Sequence, residues 1–200
     1  FTRALSLKPH YPEAYNNLGN TFKEMNRLEE AVACYHQALR HNPDYADAHV
    51  NLGMAQWRQG LLAEAVASLQ QGVRLAPNVA GGYLNLGNVL VAAARLDEAV
   101  ASYRQALTLQ PESAEAHMNL GNALVALESF EEGLQHLHHG LTLNPASAQG
   151  YYNLGNGCQK MGLPEQAILH YRQAIGLQPD FPDARFNEGL SHLLLGAFTE

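Results

Sequence analysis

The tetrapeptide Asn-Leu-Gly-Asn returns every thirty-four residues, and that recurrence limits the fold more than any other feature of the chain. It stands at Asn17-Leu18-Gly19-Asn20, Asn51-Leu52-Gly53-Met54, Asn85-Leu86-Gly87-Asn88, Asn119-Leu120-Gly121-Asn122 and Asn153-Leu154-Gly155-Asn156, then in altered form at Asn187-Glu188-Gly189-Leu190. Prolines keep the same beat at Pro9, Pro43, Pro77, Pro111, Pro145 and Pro179, so the period has no insertions or deletions. Self-similarity this strict implies stacked modules that each contact their neighbours, without one central core. The 200 residues are therefore read as one continuous array.

Inside one period the pattern is helical twice over. Tyr15, Leu18, Gly19 and Phe22 form the stripe of an amphipathic helix, Asn26-Arg27 interrupts it, and Leu28, Ala31, Tyr35 and Ala38 resume it on a second helix. That helix must end before Pro43, because the residue preceding a proline avoids the α region. The expected boundaries are the end of a preceding repeat at 1–11, full repeats at 12–45, 46–79, 80–113, 114–147 and 148–181, and the first helix of a truncated sixth repeat at 182–200. Both ends cut through a repeat, so the chain is expected to be part of something longer. Gly19, Gly53, Gly87, Gly121, Gly155 and Gly189 fall in a helix interior, where glycine costs roughly 1 kcal/mol against alanine; close helix contact is the expected reason. The turn between the two helices is expected to hold Gly60, Gly162 and Gly196.

Composition excludes several functions. With 12 Lys and Arg against 19 Asp and Glu the formal charge is −7, the reverse of what phosphate neutralisation needs, so nucleic acid is no partner. No apolar run is long enough for a membrane span and no signal-peptide core stands at the start, so no membrane partner is expected. The only cysteines, Cys34 and Cys158, lie in distant repeats; a reducing, cytoplasmic setting fits them. Catalysis needs a nucleophile, a base and an orienting group in one pocket, and the recurring positions serve packing instead. Ten histidines are many, with His136, His138 and His139 on one helix. They lack an evident third ligand and read as solvated surface residues, so no metal and no cofactor is expected.

These residues resemble the tetratricopeptide repeat. Its pattern of a large residue, Leu-Gly, an aromatic, Ala, an aromatic, Ala and Pro is met by Tyr15, Leu18-Gly19, Phe22, Ala31, Tyr35, Ala38 and Pro43. Departures are His49, His117 and Arg185 for the first aromatic, and Leu69 and Leu137 for the aromatic of the second helix. The resemblance implies an all-α, right-handed superhelical solenoid of antiparallel helix pairs, with the first helix of each pair lining the concave face.

An asparagine kept at one phase through six helices argues that its amide is needed for hydrogen bonding. One reading is structural, the amide bracing neighbouring helices. The other is a ladder of Asn17, Asn51, Asn85, Asn119, Asn153 and Asn187 that grips the backbone of an extended peptide, since an amide offers an acceptor and two donors. Asn20, Asn88, Asn122 and Asn156 would widen the polar strip, and on the family's geometry Leu84, Val91, Met118, Val125 and Tyr152 would add side-chain pockets. The Asn-Leu-Gly-Asn repeat is also similar to the superhelical arm of O-linked N-acetylglucosamine transferases and their bacterial relatives, where these asparagines hold substrate polypeptide. That likeness implies a substrate-recruiting arm, with residues 186–198 as a terminal repeat joined to a catalytic domain outside this chain. The carboxylate clamp of cochaperones is disfavoured, because its lysine position holds Asn16, Val50, Leu84, Met118 and Tyr152. The expectation is a non-catalytic module that binds an extended peptide or protein in its groove, with a glycosyltransferase arm or a purely architectural scaffold as alternatives. End-to-end self-association through the truncated repeats is expected as well.

Overall fold

A computed structural model describes residues 11–197. Among them are eleven helices and no strand: α1 (Pro12–Glu24), α2 (Leu28–His41), α3 (Ala46–Arg58), α4 (Leu62–Leu75), α5 (Ala80–Ala92), α6 (Leu96–Leu109), α7 (Ala114–Ala126), α8 (Phe130–Leu143), α9 (Ala148–Lys160), α10 (Pro164–Leu177) and α11 (Pro182–Ala197). The expected helical end of a preceding repeat at residues 1–10, and Phe198 on the last helix, lie outside the described residues. The chain divides into two compact units, one through Leu109 and one from Gln110. Each is a stack of antiparallel helix pairs.

Local chemistry sets where the helices stop. Asn42, Ala76, Asn144 and Gln178 precede the repeating prolines and are all extended, with φ between −140° and −129°. The steric rule for residues before proline thus ends α2, α4, α8 and α10. Within each pair the turn passes through one left-handed residue, Asn26, Gly60, Ala94, Glu128 or Gly162, with φ between 56° and 81°. Gly196 departs from expectation. It lies inside α11, because Leu193, Leu194 and Leu195 are good helix formers and glycine permits a turn without requiring one.

Packing follows the chain order. In the first unit α1 packs on α2, α3 on α4 and α5 on α6, while α2 also packs on α3 and α4 on α5. In the second, α7 packs on α8, α9 on α10, α8 on α9 and α10 on α11. The glycine of each first helix is the seat of this packing. A methyl group built on Gly19, Gly87 or Gly155 would lie 2.6, 2.4 and 2.4 Å from the Cε1 atoms of Tyr35, Tyr103 and Tyr171. On Gly53 and Gly121 it would lie 2.7 Å from Leu69 Cγ and Leu137 Cγ. One large side chain of the second helix therefore occupies the space a β-carbon would take, and all five of these side chains are almost wholly buried. Alanines flank them in the core, as Ala31 and Ala38 flank Tyr35.

On α11 the corresponding Gly189 has nothing within 4 Å among the described residues, and Phe186, Leu190, Leu193 and Leu194 beside it are exposed. The end-to-end contact expected from the sequence would join this face to residues 1–10. Gly87→Ala and Gly189→Ala should consequently act in opposite directions. The first drives a methyl into the Tyr103 ring and should cost about 1–3 kcal/mol, as overpacking does. The second should gain about 1 kcal/mol from helix propensity. Urea unfolding of the two variants measures both; equal signs would mean that the notch does not seat the ring.

Candidate functional site

The first helices of each unit share a face. In the first unit α3 packs on both α1 and α5, and in the second α9 packs on both α7 and α11, whereas within each unit the second helices of successive pairs stand farther apart, α8 and α10 meeting through the side chains of His138 and His170 with ring centroids 6.0 Å apart. Crowding on one side and spreading on the other makes the first-helix side the inner face of each unit. The recurring asparagines lie along it, and the structure sorts them by what their amides already do.

The asparagine that ends the tetrapeptide serves the core. Tyr35, Tyr103 and Tyr171, seated against glycines, carry their hydroxyls to the inner side and donate to the Oδ1 atoms of Asn20, Asn88 and Asn156 at 2.8, 2.8 and 2.9 Å. Burial pushes the Tyr35 and Tyr171 phenols well above their ordinary range, so they remain donors at any physiological pH. Where the second helix carries Leu69, the tetrapeptide ends in Met54, and neither residue needs a polar partner. Asn122 breaks this correspondence. Its own second helix carries Leu137, which has no hydroxyl, and the Asn122 amide has no hydrogen bond among the described residues.

The leading asparagines divide differently. Asn51 Nδ2 donates to Asn16 Oδ1 at 3.0 Å while its Oδ1 accepts from Lys23 Nζ at 3.2 Å, tying α3 to α1. Asn187 Nδ2 donates to Tyr152 Oη at 3.2 Å and to Asn156 Oδ1 at 3.0 Å, tying α11 to α9. Asn153 is buried and its Oδ1 accepts from Gln149 at 2.9 Å. Asn119 is half-buried and engaged. Asn17 is exposed and Asn85 half-buried, and neither amide has a partner among the described residues.

Of the apolar candidates, Leu84 is half-buried and Val91 is exposed. Met118 and Val125 pack in the cluster of Leu137, Leu141 and Leu154. Tyr152 lies against Tyr171 and Phe181, ring centroids 5.9 and 4.9 Å away. Met118 and Tyr152 are thus committed largely to packing. In the second unit the inner face holds a cavity of about 440 Å³ lined by Asn122, Val125, Asn153, Asn156, Gln159 and Lys160. Gln159 and Lys160 were not anticipated from the sequence; a cation one turn beyond the second asparagine was the available signal.

The positions where polar residues replace the first aromatic also acquire a role the sequence did not disclose. His49 Nε2, His117 Nε2 and Arg185 each bond the carbonyl of the proline six residues earlier, at 2.8, 2.9 and 2.9 Å. His117 is nearly buried, its Nδ1 is 2.9 Å from His136 Nδ1, and the His139 ring stands 4.3 Å away, so these three are not independent surface groups. Burial holds the His117 imidazole below the ordinary value of 6.5, with His139 acting in the same direction and the Pro111 carbonyl opposing. Among the described residues no three histidine, cysteine or acidic side chains converge as metal ligands. No described helix is long and apolar enough to cross a membrane, and Cys34 and Cys158 are free thiols.

Comparisons with known proteins agree with this architecture. Models of the tetratricopeptide repeat match residues 16–80, 93–127 and 148–181, together more than half of the chain. Among solved structures, YrrB, a TPR protein with an unusual peptide-binding site, superposes with a TM-score of 0.79 at 24% identity over 94% of this chain and 97% of its own. The thermophilic TPR protein TTC0263 of Thermus thermophilus gives 0.71 at 23% identity over 92% of this chain and 100% of its own. The Cut9–Hcn1 hetero-tetramer of the APC/C gives 0.79 at 20% identity over 95% of this chain and 38% of that one. No curated protein matches the sequence.

Two measurements check the assignment of these groups. Asn20→Met should cost about 1–2 kcal/mol, because it strips the buried Tyr35 hydroxyl of its acceptor, whereas Asn122→Met should stay within about 0.5 kcal/mol of the parent. Equal losses in urea unfolding would show that Asn122 braces the fold as well. For His117 the sign runs with pH: the unfolded chain binds a proton that the folded chain resists, so stability is complete above the ordinary histidine value and falls as pH drops through it. His117→Tyr, matching Tyr15, Tyr83 and Tyr151, should flatten the loss between about pH 7.5 and 5.5; an unchanged slope would assign that loss to other groups.

Proposed function

The chain belongs to the tetratricopeptide repeat family, and from that premise we propose that it is a non-catalytic module that takes an extended polypeptide along the inner face of its helix pairs. The observation that carries this reading is the set of inner-face amides with no partner among the described residues: Asn17 and Asn85 in the first unit, Asn122 and the Asn153 Nδ2 group in the second. An amide group left open in this way can exchange water for a peptide N–H or C=O at little cost in reorganisation. Such bonds go to main-chain groups that every peptide has, so binding would be broad in sequence, and the exposed Val91 and half-buried Leu84 would add apolar contact in the first unit.

Asn51 and Asn187 belong to the ladder in sequence, but their role is to brace successive first helices. The peptide-binding ladder is therefore narrower than the six recurring positions. A substrate-recruiting arm would use the same surface; that reading rests on the recurrence of Asn-Leu-Gly-Asn, and none of the similar structures described above is named as a glycosyltransferase. Proteins of similar fold include one described by its peptide-binding site and one within a hetero-tetramer. Both support a surface that recognises polypeptide.

The test uses a fluorescein-labelled, permanently unfolded polypeptide, reduced and carboxymethylated α-lactalbumin, followed by fluorescence polarisation. Asn17→Ala with Asn85→Ala should weaken binding about fivefold to thirtyfold and leave thermal stability unchanged, since each removes a net hydrogen bond of about 0.5–1 kcal/mol. Asn51→Ala should instead lower stability. Absence of saturable binding by the parent chain would overturn the proposal.

A further inference from the structure

The cavity between α7 and α9 has a chemical bias that follows from which ends of its amides are in use. Asn153 and Asn156 both have their Oδ1 atoms engaged, the first by Gln149 Nε2 and the second by Tyr171 Oη and Asn187 Nδ2. Their Nδ2 groups are the ends without a partner among the described residues. Tyr171 Oη lies 2.8 Å from Gln159 Oε1 as well, and its single proton serves Asn156 or Gln159 at any moment. Asn122 contributes an amide that no tyrosine claims. Lys160, at the end of α9, adds an ammonium group with no hydrogen bond or ion pair among the described residues. The other described lysine, Lys23, is half-buried and donates to Asn51, which leaves it no comparable freedom. The cavity therefore offers an ammonium group and the open NH2 ends of three asparagines, while the carbonyl oxygen left wholly unengaged among those asparagines is that of Asn122.

We propose that this cavity is a subsite for a carboxylate carried by the bound polypeptide, with Lys160 supplying the charge and the side-chain amides of Asn122, Asn153 and Asn156 supplying neutral donors. The inference rests on the reading that the inner face takes an extended chain and gives that reading a preference: an acidic residue, or a chain terminus, over α7 and α9. A carboxylate has about four acceptor sites and no donor, which complements a donor-rich pocket, whereas a neutral amide would set its own NH2 against donors. Lys160 stands at the opposite end of its helix from Tyr152, so the site differs in position from the lysine that an acidic-tail clamp needs. The chain's formal charge of −7 gives no long-range attraction for acids, and selectivity must come from short contacts inside the cavity.

The experiment follows side-chain amide signals of the ¹⁵N-labelled chain during titration with small probes: N-acetylaspartate N-methylamide, its asparagine counterpart and N-acetylalanine. The two carboxylate probes should shift the Asn122, Asn153 and Asn156 signals with an affinity about tenfold above the asparagine probe, the difference a charge-assisted contact makes. The stronger of the two assigns the site to a side-chain or a terminal carboxylate. Lys160→Gln should abolish the tenfold preference, and Asn122→Met should reduce it while both variants unfold as the parent does. Equal response to the aspartate and asparagine probes, or a preference that survives Lys160→Gln, overturns the subsite. Its failure is distinguishable from that of the peptide-binding reading: labelled lactalbumin binding without carboxylate preference sinks only the subsite, and carboxylate binding without lactalbumin binding sinks only the groove.

Discussion

Seating one large side chain against a helix-interior glycine is the contact on which the rest of this structure depends. It fixes how closely the two helices of a pair approach, and because Tyr35, Tyr103 and Tyr171 are longer than leucine, it also delivers three hydroxyls through the interface to the inner face. A buried hydroxyl without a partner costs roughly 1–3 kcal/mol, so each tyrosine creates a demand for an acceptor at one position of the first helix. Asn20, Asn88 and Asn156 meet it. The second helix thus dictates the polar pattern of a surface that the first helices build, reaching it only through these hydroxyls.

The demand for acceptors also separates packing from recognition. An asparagine opposite a tyrosine is explained by the fold; one opposite a leucine is not. Met54 with Leu69 shows that an apolar residue is tolerated when no hydroxyl arrives, which makes Asn122 with Leu137 the informative exception. Amides engaged in bracing, as at Asn51 and Asn187, restrict where the inner face can bind. What they leave open is a polar surface suited to main-chain groups, and in the second unit a cavity whose remaining capacity is for acceptors.

The helices and the turns between them were legible in the sequence because the period is strict and each boundary has a local cause: proline after the second helix, a left-handed residue between the two. Glycine in a helix interior marks close contact in the sequence, and the structure adds the partner: the large side chain of the second helix in each pair, joined by the backbone carbonyl of Ala65 at Gly53 and of Gly133 at Gly121. The site was less legible. Both asparagines of the tetrapeptide look equivalent in sequence, and only side-chain geometry shows that the second, at Asn20, Asn88 and Asn156, answers a tyrosine fifteen residues later, while the first, at Asn51 and Asn187, reaches across to a neighbouring repeat. His49, His117 and Arg185 look like lapses from an aromatic position, yet each bonds the carbonyl of the proline six residues earlier. Helix ends set by weak preferences were hardest, as Gly196 shows.

The most direct test of this account is to give Asn122 the tyrosine it lacks. Leu137→Tyr places a hydroxyl in the register that Tyr103 and Tyr171 occupy, against Gly121, with the small Gly133 and Gly140 on either side. A crystal structure of the variant, with carboxylate-probe affinity measured beside it, should show the new hydroxyl bonded to Asn122 and binding reduced about threefold to tenfold. A structure in which Asn122 accepts that bond while binding is unchanged would contradict the claim that an amide free of the core is what recognises the ligand.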